Sequence, residues 1–342
     1  MTAAPPADRI VELGHVVEAA AALRTAVGLG LLEQLGRGPA TADEVAVRCG
    51  TAPGATGLLL EALEALGVLR RDDDRYAVTA MTRLAGTLEA GWARLDDVVR
   101  TGRPIVAADT PAGAAELYPE VVPFLTRLFA PAARQAAERL APVDGEVLDV
   151  GAGAAPWSLA LAAADPRARI TALDLPDVLP VTRRAVAQAG MDDRFRLVPG
   201  DVFTADLPEE AYDLVLLANV CHLFDADTNR ALLRRLRRVL RPGGTLAVVD
   251  ALPSEDPDER RLLALYALGL RLRTVAGAVY PLASYSAWAQ EAGLGPVGAV
   301  PLSRTPPLAL LTCTAPATSA LPDPVSPGTA RRSGERAPGP AR

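Results

Sequence analysis

The apolar positions of this chain change their period near Glu146, and that change divides it. Between Asp8 and Leu35, Ile10, Leu13, Val17, Leu23, Val27, Leu31 and Leu35 recur at helical intervals and predict one amphipathic helical stretch. A short helix follows, opened by Thr41 with Glu44 three residues later, the spacing of a capping box. Another helix spans 55–67 and is closed by Gly67. The stretch VLRRDDDRYAVT (68–79) alternates around a polar tip, Asp72 to Asp74, and reads as a solvent-facing hairpin. Helix, turn, helix and a two-stranded wing make a winged-helix module over 8–86. From 87 to 142 helical patterns continue, interrupted at Thr101–Pro104 and Asp109–Gly113. Their later half, Val121 to Leu140, brings Phe124, Leu128 and Phe129 onto one face, which suits a linker that walls a pocket and equally suits plain packing.

After Glu146 the runs shorten. Val147, Leu148 and Val150 form a brief apolar run that ends on Gly151 and Gly153, which marks a buried strand entering a turn. An alanine-rich helical pattern covers Trp157 to Ala164 and stops at Pro166. A second run, Ile170 to Leu173, ends on Asp174. The alternation goes on through FRLVPGD (195–201), YDLVLLANV (212–220), a helix from Asp227 to Leu240 and TLAVVDAL (245–252). Helical segments at 257–274 and 284–292 precede two last runs, GPVGAVPL and LALLTCTA. Strands joined by helices demand a parallel, doubly wound α/β sheet, and the closely spaced final pair suits an antiparallel edge. This sheet domain takes 143–315. Residues 1–7 and the Pro, Ala, Ser, Gly and Arg-rich stretch 316–342 are expected to be disordered, since neither can bury a core.

Composition changes the picture in three ways. The chain has 342 residues, long enough for two domains, and is 50% hydrophobic but only 4% aromatic, so Leu, Val and Ala must build its core. Its net charge is -6 with no lysine, which argues against nucleic acid as a partner. The helix GATGLLLEALEALG carries no Arg and the wing tip carries three Asp, the wrong sign for phosphate, so the winged helix is read as a dimerisation and substrate-lid domain. No apolar run of membrane-spanning length and no signal-peptide pattern is present. Cys49, Cys221 and Cys313 are scattered, as expected of reduced thiols in a cytoplasm.

The candidate chemistry starts at the glycine turn. Glycines there let a ligand approach the backbone, the next helix offers free N–H donors, and an acid about 20 residues on suits a pair of ribose hydroxyls. A nicotinamide fingerprint needs a glycine where Pro156 stands. What remains is Asp149, Gly151 and Gly153, with Ala155 in place of a further glycine, and this resembles the first motif of class I S-adenosylmethionine-dependent methyltransferases. A plain α/β turn would share part of the pattern.

The order winged helix, GAGAAP, ALDLP, PGDVF, NVCHLFD, LRPGGTLAVVD and AWAQEAGL resembles the small-molecule methyltransferase family that includes plant caffeate-type and bacterial polyketide O-methyltransferases, over residues of about 10 to 315. The resemblance implies a Rossmann-like methyltransferase sheet behind an N-terminal, all-helical winged-helix dimerisation domain, with S-adenosyl-L-methionine as cofactor. It places Asp149, Gly151 and Gly153 under the methionine part, Asp174 with Leu175 at the ribose, and Asp201, Val202 and Phe203 at the adenine. Asn219 stands, with Ala218, where plant members have Trp and Lys, so adenine packing there must differ. Asp201 could instead be a turn residue and Phe203 a core aromatic.

His222 matches the family's general base. A phenol of pKa near 10 is a poor nucleophile at neutral pH, and a positioned base contributes roughly 10²–10⁴-fold. The family's His-Asp pair is here His222-Leu223. Of two flanking carboxylates in plant members, one falls at Asp250 and the other near Leu282, where no acid stands. Asp250 could equally be a strand cap, and His222 a buried strand-end histidine. His15 reads as structural or pocket-rim. No metal site is suggested. Tyr118, Phe124, Phe129, Trp157, Tyr266, Tyr280 and Trp288 are the aromatics available to line a pocket.

These features predict a cytoplasmic, homodimeric methyltransferase acting on a small, apolar secondary metabolite, with O-methylation of a phenol favoured. C-methylation of an electron-rich carbon, non-methyl chemistry with the same cofactor, and a winged-helix regulator are the competing readings.

Overall fold

The computed structural model describes residues 7–143 and 145–318; of the stretches 1–7 and 316–342 expected to be disordered, 1–6 and 319–342 lie outside the described residues, whereas Ala7 opens a helix. The first helical stretch is two helices, α1 (Ala7–Gly28) and α2 (Leu31–Gly36). Gly30 between them takes a left-handed conformation (φ 72°), which ends a helix at little cost only in glycine. The capping box forms as expected: Thr41 Oγ1 accepts from the Glu44 N–H and Glu44 accepts from the Thr41 N–H, opening α3 (Ala42–Cys49). Next comes α4 (Pro53–Ala65), with proline at its start.

The wing has one strand more than expected. Besides the hairpin β2 (Leu69–Asp72) and β3 (Arg75–Val78), the pair Ala40–Thr41 forms β1 and joins β3 antiparallel. Two residues show no period, which is why the sequence hides it. Leu31, Leu35, Val45, Leu60, Leu63 and Tyr76 fill the core of this unit. The outer stripe of α1 has no cover: Val11, Leu13, Val16 and Val17 are 57, 64, 64 and 60% exposed.

Helices α5 (Ala80–Trp92) and α6 (Leu95–Thr101) lead to α7 (Pro111–Leu140), a 30-residue helix that Thr110 caps. The expected interruption at 109–113 is therefore a helix start. Ala132, Ala133, Ala136 and Ala137 of α7 are buried with Trp157 and Leu161. Small residues let the helices approach closely, and Phe129 meets Trp157 at 5.8 Å between ring centres.

The remaining elements are β4 (Glu146–Val150), α8 (Pro156–Ala164), β5 (Arg169–Asp174), α9 (Leu179–Gln188), β6 (Phe195–Pro199), β7 (Tyr212–Ala218), α10 (Ala226–Val239), β8 (Leu240–Asp250), α11 (Pro257–Arg273), α12 (Leu282–Glu291), β9 (Gly298–Arg304) and β10 (Pro307–Thr314). They build a seven-stranded sheet in the order β6-β5-β4-β7-β8-β10-β9. Strands β4 to β8 run parallel, and β10 is antiparallel to both β8 and β9. This is the doubly wound α/β sheet with an antiparallel edge that the strand spacing predicts. Helix α9 is not evident in the sequence, because Pro176 and Pro180 mask its short apolar pattern.

The chain goes outward from β4 through β5 to β6, then returns to β7 on the other side of β4. The strand order reverses between β4 and β7, and open α/β sheets place their ligands outside the strand ends at such a switch point. Among the described residues no helix is long and apolar enough to cross a membrane.

Candidate active site

Strand β4 ends in a turn that only particular backbones allow. Gly151 and Gly153 sit at φ 66° and 57°, the left-handed region that disfavours side chains. A Cβ on Gly151 would stand 3.1 Å from Val220 Cγ2, and one on Gly153 would stand 3.2 Å from Val122 Cγ1 of α7. The turn is a narrow cradle with bare backbone at its mouth, since Gly151 is exposed between buried Val150 and Ala152. Ala155, where the family pattern has a glycine, also takes positive φ (56°) and opens α8.

Asp174 at the end of β5 faces this turn. Its Oδ2 accepts from the Gly153 N–H at 2.7 Å and its Oδ1 from the Leu175 N–H at 2.7 Å. Burial still lifts its pKa to about 6, against the pull of those two donors. A half-buried carboxylate with two backbone donors keeps lone pairs free for more. Thr182 of α9 donates to the Gly153 carbonyl at 2.5 Å and pins the loop from outside. Asp149 lies beneath, 1% exposed, where it accepts from the Ser158 hydroxyl. Burial raises its pKa to about 7, Ser158 lowers it and Asp174 raises it further. It supports the turn from the core side.

The third strand end joins them through backbone. Gly200 N–H donates to the Asp174 carbonyl at 2.9 Å, which sets Asp201 beside Asp174. Asp201 Oδ1 accepts from the Phe203 N–H at 2.9 Å. The Phe203 ring packs edge-to-face on Phe224 at 5.2 Å, so half of it belongs to the core. The Val202 carbonyl accepts from Arg235 Nε. Asn219, at φ 59°, is half-buried where β7 ends and bonds through its N–H to the Val249 carbonyl at 2.8 Å.

His222 lies on the short turn after β7, and Asp250 ends β8, its parallel neighbour. Asp250 holds both the side chain and the backbone of His222. Its Oδ1 lies 2.7 Å from Nδ1, and its Oδ2 accepts from the His222 N–H at 3.0 Å. The Ala251 N–H (2.9 Å to Oδ1) and the Tyr285 hydroxyl (3.2 Å to Oδ2) complete the set. Both residues are buried, at 5% and 0% exposure. With a carboxylate as partner, Nδ1 carries the proton and Nε2 keeps its lone pair. Gly277 supports the backbone behind: a Cβ there would stand 2.6 Å from the His222 carbonyl, which accepts instead from the Ala278 N–H.

Tyr285 is the residue that the sequence did not reveal. Near Leu282 the pattern called for a second acid, but α12 supplies a phenol from one turn further along. Burial first, then Asp250, raise that phenol far above its ordinary pKa, so it stays a donor. Leu223, in place of an acid, is buried in the core.

The candidate pocket aromatics divide. Tyr266 of α11 meets the His222 ring edge-to-face at 5.6 Å. The phenol of Tyr118 on α7 is raised to about 12 by burial, with Arg273 lowering it and Asp174 and Asp109 raising it, so it shares this interior space. Trp157 and Phe129 belong to the α7–α8 layer. Tyr280 donates to the Phe224 carbonyl at 2.8 Å and packs on buried Trp288. Phe124 is half-buried on α7, Leu128 is exposed, and His15 is exposed on α1.

Residues 129–295 match the O-methyltransferase domain and residues 12–87 match the O-methyltransferase dimerisation domain. The chain is 30% identical over 300 residues to 3-hydroxy-5-methyl-1-naphthoate 3-O-methyltransferase of Streptomyces sahachiroi, covering 81% of this chain and 86% of that one. It is 26% identical to L-tyrosine C(3)-methyltransferase of Streptomyces lavendulae, over 80% of this chain and 83% of that one. Among solved structures, mitomycin 7-O-methyltransferase superposes with a TM-score of 0.67 at 25% identity, over 90% and 97% of the two chains. The chain thus belongs to the S-adenosylmethionine-dependent O-methyltransferase family.

Proposed function

We propose that this protein O-methylates a phenolic hydroxyl of a small, largely apolar secondary metabolite, with His222 as general base. The observation that carries the reading is the His222–Asp250 pair, set at the sheet's switch point beside the glycine turn and Asp174. The residues fit the cofactor, because the turn is bare backbone and Asp174 has unfilled acceptor capacity. S-adenosylmethionine, when bound, supplies an electrophilic methyl on a sulfonium.

The chain's own residues do the rest. Gly151 and Gly153 admit the methionine part, Asp174 with Leu175 takes the ribose, and Asp201, Val202, Phe203 and Asn219 flank the adenine; Asp149 braces the turn. The acceptor's phenolic proton passes to Nε2 of His222. Asp250 holds Nδ1–H throughout and stabilises the imidazolium, and Tyr285 fixes Asp250. Holding the oxygen close to the reacting methyl supplies a share larger than the base itself. C-methylation is kept as a second reading because one relative is a C-methyltransferase by name. The cytoplasm suits three unpaired thiols, and the uncovered α1 stripe suits a homodimer. Residues 8–86, 87–142 and 143–315 serve as dimerisation unit, linker and transfer domain.

Asp174 gives a direct test of the cofactor assignment. Asp174→Ala is expected to weaken S-adenosylmethionine binding by about 1.5–3 kcal/mol, as for a lost charge-assisted hydrogen bond. The pH dependence has a defined sign. The ionised carboxylate is the form that accepts from hydroxyls, and its pKa stands at about 6. Affinity should hold above pH 7 and fall by up to about tenfold per unit below 6, one proton being displaced on binding. Asp149 titrates in a similar window. Calorimetry on Asp174→Asn separates the two, because its profile should be flatter; an unchanged profile would remove Asp174 from the site.

A further inference from the structure

Helix α11 carries a cation that its surroundings do not balance. Tyr266 and Arg273 stand seven residues apart, two turns, and so share a face. The Arg273 guanidinium lies 5.4 Å from the centre of the Tyr266 ring, and that ring meets His222 at 5.6 Å. These two contacts in series keep the guanidinium within about 11 Å of the His222 imidazole, a span that one or two fused aromatic rings can bridge.

The guanidinium's polar partners are neutral ones, the Tyr266 phenol among them. Arg273 Nη1 donates to the Gly269 carbonyl at 3.2 Å. Among the described residues no carboxylate stands within ion-pair distance of it, whereas Arg261 of the same helix has Glu12 and Asp258. Asp109 is near enough to act on the Tyr118 phenol but spends Oδ2 on the Val275 and Ala276 N–H groups. Its Oδ1 is buried with no partner. A half-buried cation without a counter-charge is costly to desolvate and gains from an incoming anion. The planar guanidinium suits a carboxylate, which it can hold by two parallel hydrogen bonds.

We infer that Arg273 anchors a carboxylate on the acceptor, so that the substrate is a hydroxyaryl acid whose hydroxyl reaches His222 while its acid group is held by Arg273 over Tyr266. This rests on the reading that the space between Tyr118 and His222 takes the acceptor.

The test is binding, independent of methyl transfer. The full-length enzyme, saturated with S-adenosylhomocysteine, is titrated with three matched acid–carboxamide pairs: a hydroxybenzoate, a hydroxynaphthoate and a hydroxyanthraquinone carboxylate. At least one acid should bind on the order of 10–100-fold tighter than its amide, as for a charge-assisted hydrogen bond. Arg273→Gln should reduce that preference to within about twofold, and Arg273→Lys should keep part of it, with thermal unfolding unchanged in both. Equal affinity of acid and amide, preference surviving in Arg273→Gln, or no binding of any acid would overturn the anchor. A loss of affinity for the neutral amide in Arg273→Gln as large as that for the acid would overturn it too, and would leave the methyltransferase reading intact. Failure of that reading shows separately, as no S-adenosylhomocysteine formed with any acceptor.

Discussion

His222→Ala is expected to lower kcat by about 10²–10⁴ while cofactor affinity barely changes. The expectation follows from where the proton goes. A phenol of pKa near 10 is almost wholly protonated at neutral pH, and Nε2 of His222 is the lone pair that Asp250 leaves free by fixing Nδ1–H at 2.7 Å. The loss should shrink as pH rises toward the acceptor's own pKa, because the substrate then ionises without help. Asp250→Asn should give a smaller loss of the same kind. The carboxylate accepts from four donors, among them the His222 N–H; an amide can match only part of that set and would loosen the turn itself. Tyr285→Phe removes one donor and should cost several-fold at most. A loss for His222→Ala under about tenfold and independent of pH would remove the base from the mechanism and favour C-methylation.

Much of this arrangement was legible in the sequence, for identifiable reasons. Short apolar runs ending in Gly151, Asp174, Asp201 and His222 specify strands whose ends share one side of a parallel sheet. From His222, just past β7, to Asp250 the chain runs through one helix and one strand, so their meeting follows once β7 and β8 are neighbours. Other features depend on contacts that no period reports. Gly30 divides the first helical stretch by adopting positive φ, β1 is too short to alternate, and the prolines around α9 obscure its face. Tyr285 and Arg273 escaped because their partners come from elsewhere in the chain: Asp250 lies on β8, and His222 is reached only through Tyr266. Trp157 and Trp288, both candidates for a pocket, instead fill the core, since a sequence with so few aromatics gives no sign of which are spent on packing.

Removal of the first 87 residues should leave a chain that aggregates or fails to accumulate in soluble form. The stripe of Val11, Leu13, Val16 and Val17 stands more than half exposed along α1, within the region that matches the O-methyltransferase dimerisation domain. Burying such a side chain is worth about 1.5–3 kcal/mol, and a two-fold symmetric pairing buries eight. That sum exceeds much of the roughly 4–15 kcal/mol cost of association. Without its N-terminal unit the rest of the chain also loses most of α5, which packs on α7 and α11. A gentler test is Leu13→Asp with Val17→Asp, which would place four unpaired charges in the interface and should shift sedimentation from dimer to monomer, raising the dissociation constant by more than about 10³-fold. A soluble, active, monomeric truncation starting at Leu88 would refute the assignment of α1 to a dimer contact.

The central claim is transfer of a methyl group to oxygen, and one measurement addresses it most directly. Wild-type protein is incubated with S-adenosylmethionine labelled with ¹³C at the methyl carbon and a panel of phenolic acceptors, and carbon NMR of the product is read beside the amount of S-adenosylhomocysteine formed. The account predicts a methoxy carbon signal, one S-adenosylhomocysteine for each product molecule, and a loss of both in His222→Ala at neutral pH. A label on an aromatic or aliphatic carbon, or product formed without S-adenosylhomocysteine, would contradict it.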